Sequence, residues 1–172
     1  MQNIQIVQSV AFIINLACLG LLFYLFLELK KVKLLLTENS QKNPEGNKLK
    51  LQALERLSLY AERCGLNNMI RRTESTGLSA AAYHHVLTET IKGEYEYNMS
   101  QQIYVIPELW NAVTRLKDQN IYIINQLTSN LPPEATATDL GKMIIEYSMT
   151  PNAEMNKIVL DALQFEAQKL LN

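Results

Sequence analysis

The first apolar segment of the chain is continuous rather than periodic. Residues 10–27 form a run of 18 mostly apolar side chains, VAFIINLACLGLLFYLFL, which only the amide of Asn15 interrupts. A helix rises about 1.5 Å per residue, so such a run is about 27 Å long and close to the hydrocarbon thickness of a bilayer. The run therefore predicts one transmembrane helix.

Two other interpretations of this run conflict with the sequence. A cleaved signal peptide needs a basic start, a shorter apolar stretch and a small-residue cleavage site. Residues 1–9 contain no Lys or Arg, and no such cleavage site follows the run. A buried helix of a globular domain normally has a polar face, which this run lacks. We therefore expect a retained anchor.

The charges that flank the run predict its orientation. Its N-terminal flank has no basic residue, whereas Lys30, Lys31 and Lys33 follow its other end. Basic residues near the ends of a span favour the cytoplasmic side, and they also attract anionic lipid headgroups. We therefore expect a single-pass protein of the cell inner membrane, with its N-terminus outside, its C-terminal part cytoplasmic and these three lysines at the membrane surface.

The pattern then divides the remaining chain into a linker and a domain. Residues 1–36 are expected to form the transmembrane anchor and a short juxtamembrane extension of its helix. Residues 37–47, TENSQKNPEGN, contain no large apolar side chain and include Pro44 and Gly46, which is the composition of a flexible linker. Residues 48–172 are long enough for one domain with its own core.

Apolar residues in this domain recur at intervals of three or four, which predicts helices. Gly65 is expected to cap the C-terminus of the first, Ser79 and Thr136 with Asp139 to cap two N-termini, and Pro107 to begin the longest helix. The expected buried faces are Leu51, Leu54, Leu57, Ala61 and Cys64; Tyr83, Leu87, Ile91 and Tyr95; Leu109, Val113, Leu116, Asn120, Ile123 and Leu127; and Met155, Ile158, Ala162 and Phe165.

No long alternating pattern competes with these helices. The segment IYVI at residues 103–106 is strand-like, but one short strand cannot build a sheet. The predicted fold is therefore all-α: an N-terminal transmembrane helix followed by a cytosolic bundle of about five or six helices.

Charge and cysteine content narrow the function. The net charge is −1, but the ten basic and four acidic residues of positions 30–72 give +6, while the six basic and twelve acidic residues of positions 73–172 give −6. The basic part interleaves Lys and Arg with Glu and lacks stacking aromatics, so we expect no nucleic-acid binding. The chain has two cysteines: Cys64 is expected in the domain core and Cys18 in the span. Two cysteines placed in this way form no disulfide framework.

The most unusual composition is the segment EYEYNMSQQIYV at residues 94–105, which Trp110 and Lys117 follow. The chain resembles an uncharacterised bacterial family of single-span membrane proteins described only as a domain of unknown function. The resemblance rests on this segment, the apolar span and the dipeptides Leu131-Pro132 and Asp139-Leu140. The resemblance implies a membrane-anchored helical domain with no assigned activity. It supplies no catalytic or cofactor-binding residue.

Two interpretations of this segment are open. Tyrosine and tryptophan are favoured interface anchors, so the segment could bind a protein partner, which the sequence does not identify. Alternatively, its amides cap chain ends at a joint between helices while its aromatics fill the core, and we favour this structural role. The residues concerned are Glu94, Tyr95, Tyr97, Asn98, Gln101, Gln102, Tyr104 and Trp110.

No catalytic signature accompanies these patterns. His84, His85, Glu89 and Glu94 are the candidates for a metal site or a tethered enzyme, but the chain has no His-Glu-x-x-His, Gly-x-Ser-x-Gly, CxxC or P-loop pattern. We therefore expect no catalytic residue, no metal and no cofactor. The preferred hypothesis is a non-enzymatic adaptor or scaffold on the cytoplasmic membrane face, with the metal protein or enzyme as the alternative.

One face of the predicted span could mediate self-association. Ala11, Asn15 and Cys18 recur at i, i+4 and i+7, and small or polar side chains allow helices to approach closely and hydrogen-bond in lipid. The alternative is that a very apolar span simply tolerates one amide.

We predict that Asn15→Leu weakens dimers in a membrane association assay if this face is used, because the substitution removes an interhelical hydrogen bond of about 1 kcal/mol. Unchanged dimerisation would exclude the association face and leave the tolerated amide.

Overall fold

A computed structural model describes residues 18–33, 44–150 and 155–171. The chain divides into two compact units, Met1–Asn47 and Lys48–Asn172, and each is considered separately. In the first unit, residues 18–33 form a helix, α1, whose side chains are all exposed. No helix in the described part of the chain is both long enough and apolar enough to cross a bilayer. Residues 10–17 of the predicted span and 34–43 around the predicted linker lie outside the described residues.

The remaining elements of the described chain are all helices, as the periodicity predicts. The helices are α2 (Pro44–Cys64), α3 (Leu66–Arg72), α4 (Ala80–Asn98), a 3-10 helix (Met99–Ile103), α5 (Pro107–Ser129), α6 (Ala137–Ser148) and α7 (Met155–Leu171). The described residues contain no strand, and Ser79 and Thr136 form an isolated β-bridge. The strand-like IYVI segment instead ends the 3-10 helix and leads into α5.

The N-terminal capping signals are confirmed. Ser79 Oγ accepts a hydrogen bond from Ala82 N, and Thr136 with Asp139 forms a capping box. The Thr136 hydrogen bonds lower the pKa of the Asp139 carboxyl. Pro107 occupies the first turn of α5. Backbone N–H groups in a first turn have no acceptor within the helix, so the proline, which lacks an N–H, costs no hydrogen bond there.

The start of α2 differs from the predicted boundary. The helix begins at Pro44, so the last four residues of the segment expected as a flexible linker are helical. The fixed φ of proline suits the first turn of a helix, where Pro44 lies. The carboxylate of Glu45 lies in the same turn and interacts favourably with the positive end of the helix dipole. Residues 44–47 therefore have the composition of a linker and also form the first turn of a helix.

Gly65 does not have the role expected from the sequence. Its φ is −56°, outside the left-handed region of a glycine C-cap, and it serves as the N-cap of α3. A Cβ on Gly65 would lie 3.0 Å from Nδ2 of Asn156, so the glycine allows a close approach between helices. Among the described residues, Gly77 is the glycine with a left-handed backbone, with φ +74°, and it lies in the turn before α4.

The second unit, Lys48–Asn172, contains two apolar cores that share α5. The first core joins α3, α4, α6 and the C-terminal half of α5, and includes Tyr83, Leu87, Ile91, Ile123, Ile124, Leu140 and Ile144. The second core joins α2, α7 and the N-terminal half of α5, and includes Leu54, Leu57, Tyr60, Cys64, Leu109, Val113, Leu116, Val159 and Leu163. The predicted face of α5 is confirmed except that Leu127 is only partly buried.

The predicted face of α7 is confirmed in part, since Met155 and Ala162 pack against the second core. Val159 and Leu163 are fully buried, whereas Ile158 and Phe165 are exposed. Two neighbouring stripes of this helix have similar apolar content, so its sequence alone does not select between them. Packing of α7 against α2 and α5 makes the selection.

A buried hydrogen bond connects α5 to the end of α2. Asn120 Nδ2 donates to the backbone carbonyl of Cys64 over 2.8 Å, and Asn120 is only 4% exposed. The carbonyl belongs to the last turn of α2, where carbonyl groups lack intrahelical partners. Asn120 therefore occupies an apolar helix face because it satisfies a buried backbone acceptor.

We predict that Asn120→Leu lowers the free energy of unfolding by about 1–3 kcal/mol, because the Cys64 carbonyl is left buried and unpaired. Urea denaturation of the full chain in detergent, followed by circular dichroism, measures the change. Asn111→Leu, at an exposed position of the same helix, is the matched control. Equal stability of the two variants would contradict the role given to Asn120.

Candidate interaction surface

The segment with the unusual composition forms a joint between α4 and α5. Glu94, Tyr95, Tyr97 and Asn98 lie in the last turns of α4, Gln101 and Gln102 in the 3-10 helix, and Tyr104 between that helix and α5. Trp110 lies in the first turns of α5. The structure therefore brings the sequence-selected residues together, and their burial separates them into an inner and an outer group.

The inner group centres on stacked aromatic rings. Tyr95 and Trp110 stack with ring centroids 5.2 Å apart, and Tyr60 meets Tyr95 edge-on at 6.3 Å. Tyr95 Oη lies 3.0 Å from Thr114 Oγ1, and Lys117 Nζ lies 4.5 Å from the centroid of the Tyr95 ring. Both stacked rings pack against the second core. These contacts support a structural role for Tyr95 and Trp110.

Glu94 joins three helices by ion pairs. Its Oε1 lies 2.9 Å from a guanidinium nitrogen of Arg63 in α2 and 3.0 Å from one of Arg72 in α3, and its side chain is only 16% exposed. One carboxylate thus offsets the repulsion between two guanidinium groups. The contact holds Glu94 within the domain rather than presenting it to a partner.

The amides of the segment also make local contacts. Asn98 is buried and donates from Nδ2 to the carbonyl of Glu94, and Gln101 is buried and donates to Ser100 Oγ. These bonds support the predicted function of amides at a helix joint. Gln102 is exposed, and Tyr104 is partly buried.

The outer group forms an exposed surface. Tyr97 is 74% exposed, and the guanidinium of Arg56 lies 5.0 Å from its ring centroid. Gln102 is also exposed, and Ile103 and Ile106 present apolar side chains beside the segment. The sequence interpretation left these isoleucines out of the interaction surface because IYVI was assessed only as strand-like. The available signal was that two isoleucines lie three residues apart between the end of the 3-10 helix and the N-cap of α5.

Three of the four histidine and glutamate candidates, His84, Glu89 and Glu94, contact different partners. His84 Nε2 lies 2.6 Å from Asn125 Oδ1, and His85 is exposed. The ammonium of Lys92 lies 2.7 Å from Glu89 and lowers the pKa of that carboxyl, while Glu94 contacts the two arginines. Within the described ranges, no three His, Cys, Asp or Glu side chains converge as a metal-binding group.

Cys64 lies in the second core, as expected. Burial and, to a smaller extent, the Glu94 carboxylate raise the pKa of its thiol to about 12, so the thiol is protonated near neutral pH. A nucleophilic cysteine requires the thiolate, which this environment disfavours.

The residues selected near the anchor are only partly described. Ala11 and Asn15 lie outside the described residues, while Cys18, Lys30, Lys31 and Lys33 are exposed on α1. Lys30 Nζ lies 5.2 Å from the centroid of the Phe26 ring, so its stem follows the apolar helix surface.

We predict that Glu94→Gln lowers the free energy of unfolding by about 1 kcal/mol, because it leaves two guanidinium groups without their shared anion. The measurement is urea denaturation at low salt and again in 1 M NaCl, where screening should reduce the difference. Glu96→Gln, on an exposed side chain two positions away, should change stability by less than about 0.5 kcal/mol. A loss that is identical for both variants would exclude a special role for the Glu94 ion pairs.

The comparison with known proteins agrees with the resemblance of this segment to a family of unknown function. No curated protein and no solved structure matches the chain. A family model described as "Family of unknown function (DUF7935)" matches residues 3–170, which is nearly the whole sequence. The chain therefore belongs to this family, DUF7935.

Proposed function

We propose that this protein is a single-pass membrane protein whose helical domain acts as a non-enzymatic adaptor or scaffold on the cytoplasmic face of the cell inner membrane. The carrying observation is the surface of α1. Its large apolar side chains are 48–69% exposed, although they cover every side of the helix: Leu19, Leu21, Leu22, Phe23, Tyr24, Leu25, Phe26, Leu27, Leu29 and Val32. A helix that is apolar all round needs an apolar environment.

The bilayer is the environment that fits this helix best. In sequence, α1 continues the apolar run that begins at residue 10, and together they have the length of a membrane span. Lys30, Lys31 and Lys33 follow the run at one end only, which favours a cytoplasmic C-terminal domain. The same lysines would contact the headgroups of anionic lipids.

The surface of the domain supports binding rather than chemistry. Tyr97 and Ile103 are more than 70% exposed, and aromatic and apolar side chains of this kind anchor protein interfaces. Among the side chains that could act on a substrate, Glu94 pairs with Arg63 and Arg72. Glu89 pairs with Lys92, and His84 contacts Asn125. An adaptor uses such a rigid domain to position a partner at the membrane.

We predict that the full chain stays in the membrane pellet after carbonate washing, whereas a Leu19→Lys/Leu22→Lys variant is released. Each lysine at the centre of a span costs about 3 kcal/mol of insertion free energy. The matched control is Leu49→Lys/Leu59→Lys, at two exposed leucines of α2, and it should remain in the pellet.

Recovery of the unchanged chain in the carbonate supernatant would overturn the anchor. Protease treatment of right-side-out and inverted vesicles tests the orientation, since the domain should be cleaved only in inverted ones. Crosslinking in native membranes tests the adaptor role, and Tyr97→Ala or Ile103→Ala should reduce the yield of any partner bound at the exposed surface.

A further inference from the structure

A cleft rich in amide side chains lies in the second unit, away from the segment discussed above. Its volume is about 510 Å³, which is within the usual range of ligand sites. It lies between the α2–α3 joint, the middle of α5 and the start of α7. Five carboxamide side chains from three helices line it: Asn67, Asn68, Gln119, Asn120 and Asn156.

Several of these amides have hydrogen-bonding groups that the domain itself does not use. No side-chain hydrogen bond connects Asn67 or Gln119 to another described residue. Asn68 and Asn120 donate from Nδ2, to Glu62 and to the Cys64 carbonyl respectively. The cleft therefore presents carboxamide donors and acceptors that are available to a bound molecule.

Asn156 provides a second, independent observation. Its Oδ1 is buried and has no hydrogen-bond partner among the described residues. Gly65 lets this side chain lie against the α2–α3 joint, because any larger residue would meet Asn156 Nδ2. A buried acceptor without a partner is unfavourable. Because the χ2 torsion of Asn is soft, rotation of the Asn156 amide can bring its oxygen to a donor on a molecule bound in the cleft.

The remaining lining limits the chemistry of the ligand. Leu66, Met155 and Leu160 provide an apolar floor beside the amides. Lys157 pairs with Asp161 over 2.6 Å, and among the described residues the carboxylate of Glu62 receives a neutral amide donor. The formal charges of these three lining side chains sum to −1. The cleft therefore suits a molecule with amide groups, a small apolar part and no negative charge.

We propose that this cleft binds an extended peptide segment of a partner protein through the partner's main-chain amide groups. In an extended chain the N–H and the C=O of one residue point to the same side, so a carboxamide side chain, whose donor and acceptor lie in one plane, can pair with both by reciprocal hydrogen bonds. The apolar floor accepts a side chain of the peptide, and Glu62 favours a neighbouring Lys or Arg. This assignment rests on the proposed adaptor function and names the partner class.

The probe is a mixture of short acetylated and amidated peptides that contain one lysine among randomised neutral positions. The full chain in lipid nanodiscs is immobilised, retained peptides are identified by mass spectrometry, and their Kd values are measured individually. Asn67→Leu and Gln119→Met keep the side-chain volume and remove the hydrogen-bonding groups. Each should weaken binding about tenfold.

Two controls separate main-chain recognition from other causes. Asn111→Leu and Gln126→Met make the same chemical changes at exposed positions of α5 outside the cleft, and they should leave the Kd within about twofold. Backbone N-methylation of a retained peptide removes its main-chain donors and should abolish binding.

The proposal would be overturned by any of three results: no peptide retained, equal losses in the cleft and control variants, or equal binding of the N-methylated peptide. Carbonate extraction does not involve the cleft. A chain that remains in the membrane but binds no peptide would therefore refute this assignment alone.

Discussion

The packing of α5 (Pro107–Ser129) into both apolar cores is the constraint on which the second unit depends. Its first half contributes Leu109 and Leu116 to the core shared with α2 and α7, and its second half contributes Ile124 to the core shared with α3, α4 and α6. One rigid helix therefore sets the register of both cores. Any rotation of α5 about its axis would expose apolar residues in both at once.

Asn120 shows how this constraint accommodates a polar residue. Asn120 lies on α5 between the residues of the two cores and donates a hydrogen bond to the carbonyl of Cys64 in the last turn of α2. The amide therefore satisfies a carbonyl at a helix end that the packing of α5 buries. The amide-rich cleft is adjacent, because α2 ends and α3 begins at the same place. The proposed binding site is thus a consequence of bringing a helix joint against the middle of a long helix.

The exposed surface near Tyr97 depends on the same framework in a different way. Glu94 holds α4 to α2 and α3, and Tyr95 with Trp110 fastens the start of α5 to the second core. The residues between them are therefore held in a fixed geometry although several are exposed. A rigid surface of this kind loses little conformational entropy on binding, which is consistent with an adaptor.

Local signals were sufficient for much of the fold. Ser79, Pro107 and Thr136 act through their own neighbours within one helical turn, so their positions could be predicted without tertiary information. The face of α5 was equally predictable, because a single apolar stripe extends along it. The role of Gly65 could not be predicted in this way, because a glycine at a helix end can serve either as a left-handed cap or to allow a close approach, and only its neighbour Asn156 distinguishes the two.

The sequence by itself determined the all-α class, the starts of α4, α5 and α6, the apolar run at residues 10–27 and the unusual segment at residues 94–105. These depend on periodicity, composition and contacts within one turn. Only the tertiary structure decided which stripe of α7 is buried, which residues of that segment face outward, and that amides from α3, α5 and α7 line one cleft. Those features depend on residues distant in sequence, whose proximity follows from packing around α5 and is not encoded in any local pattern.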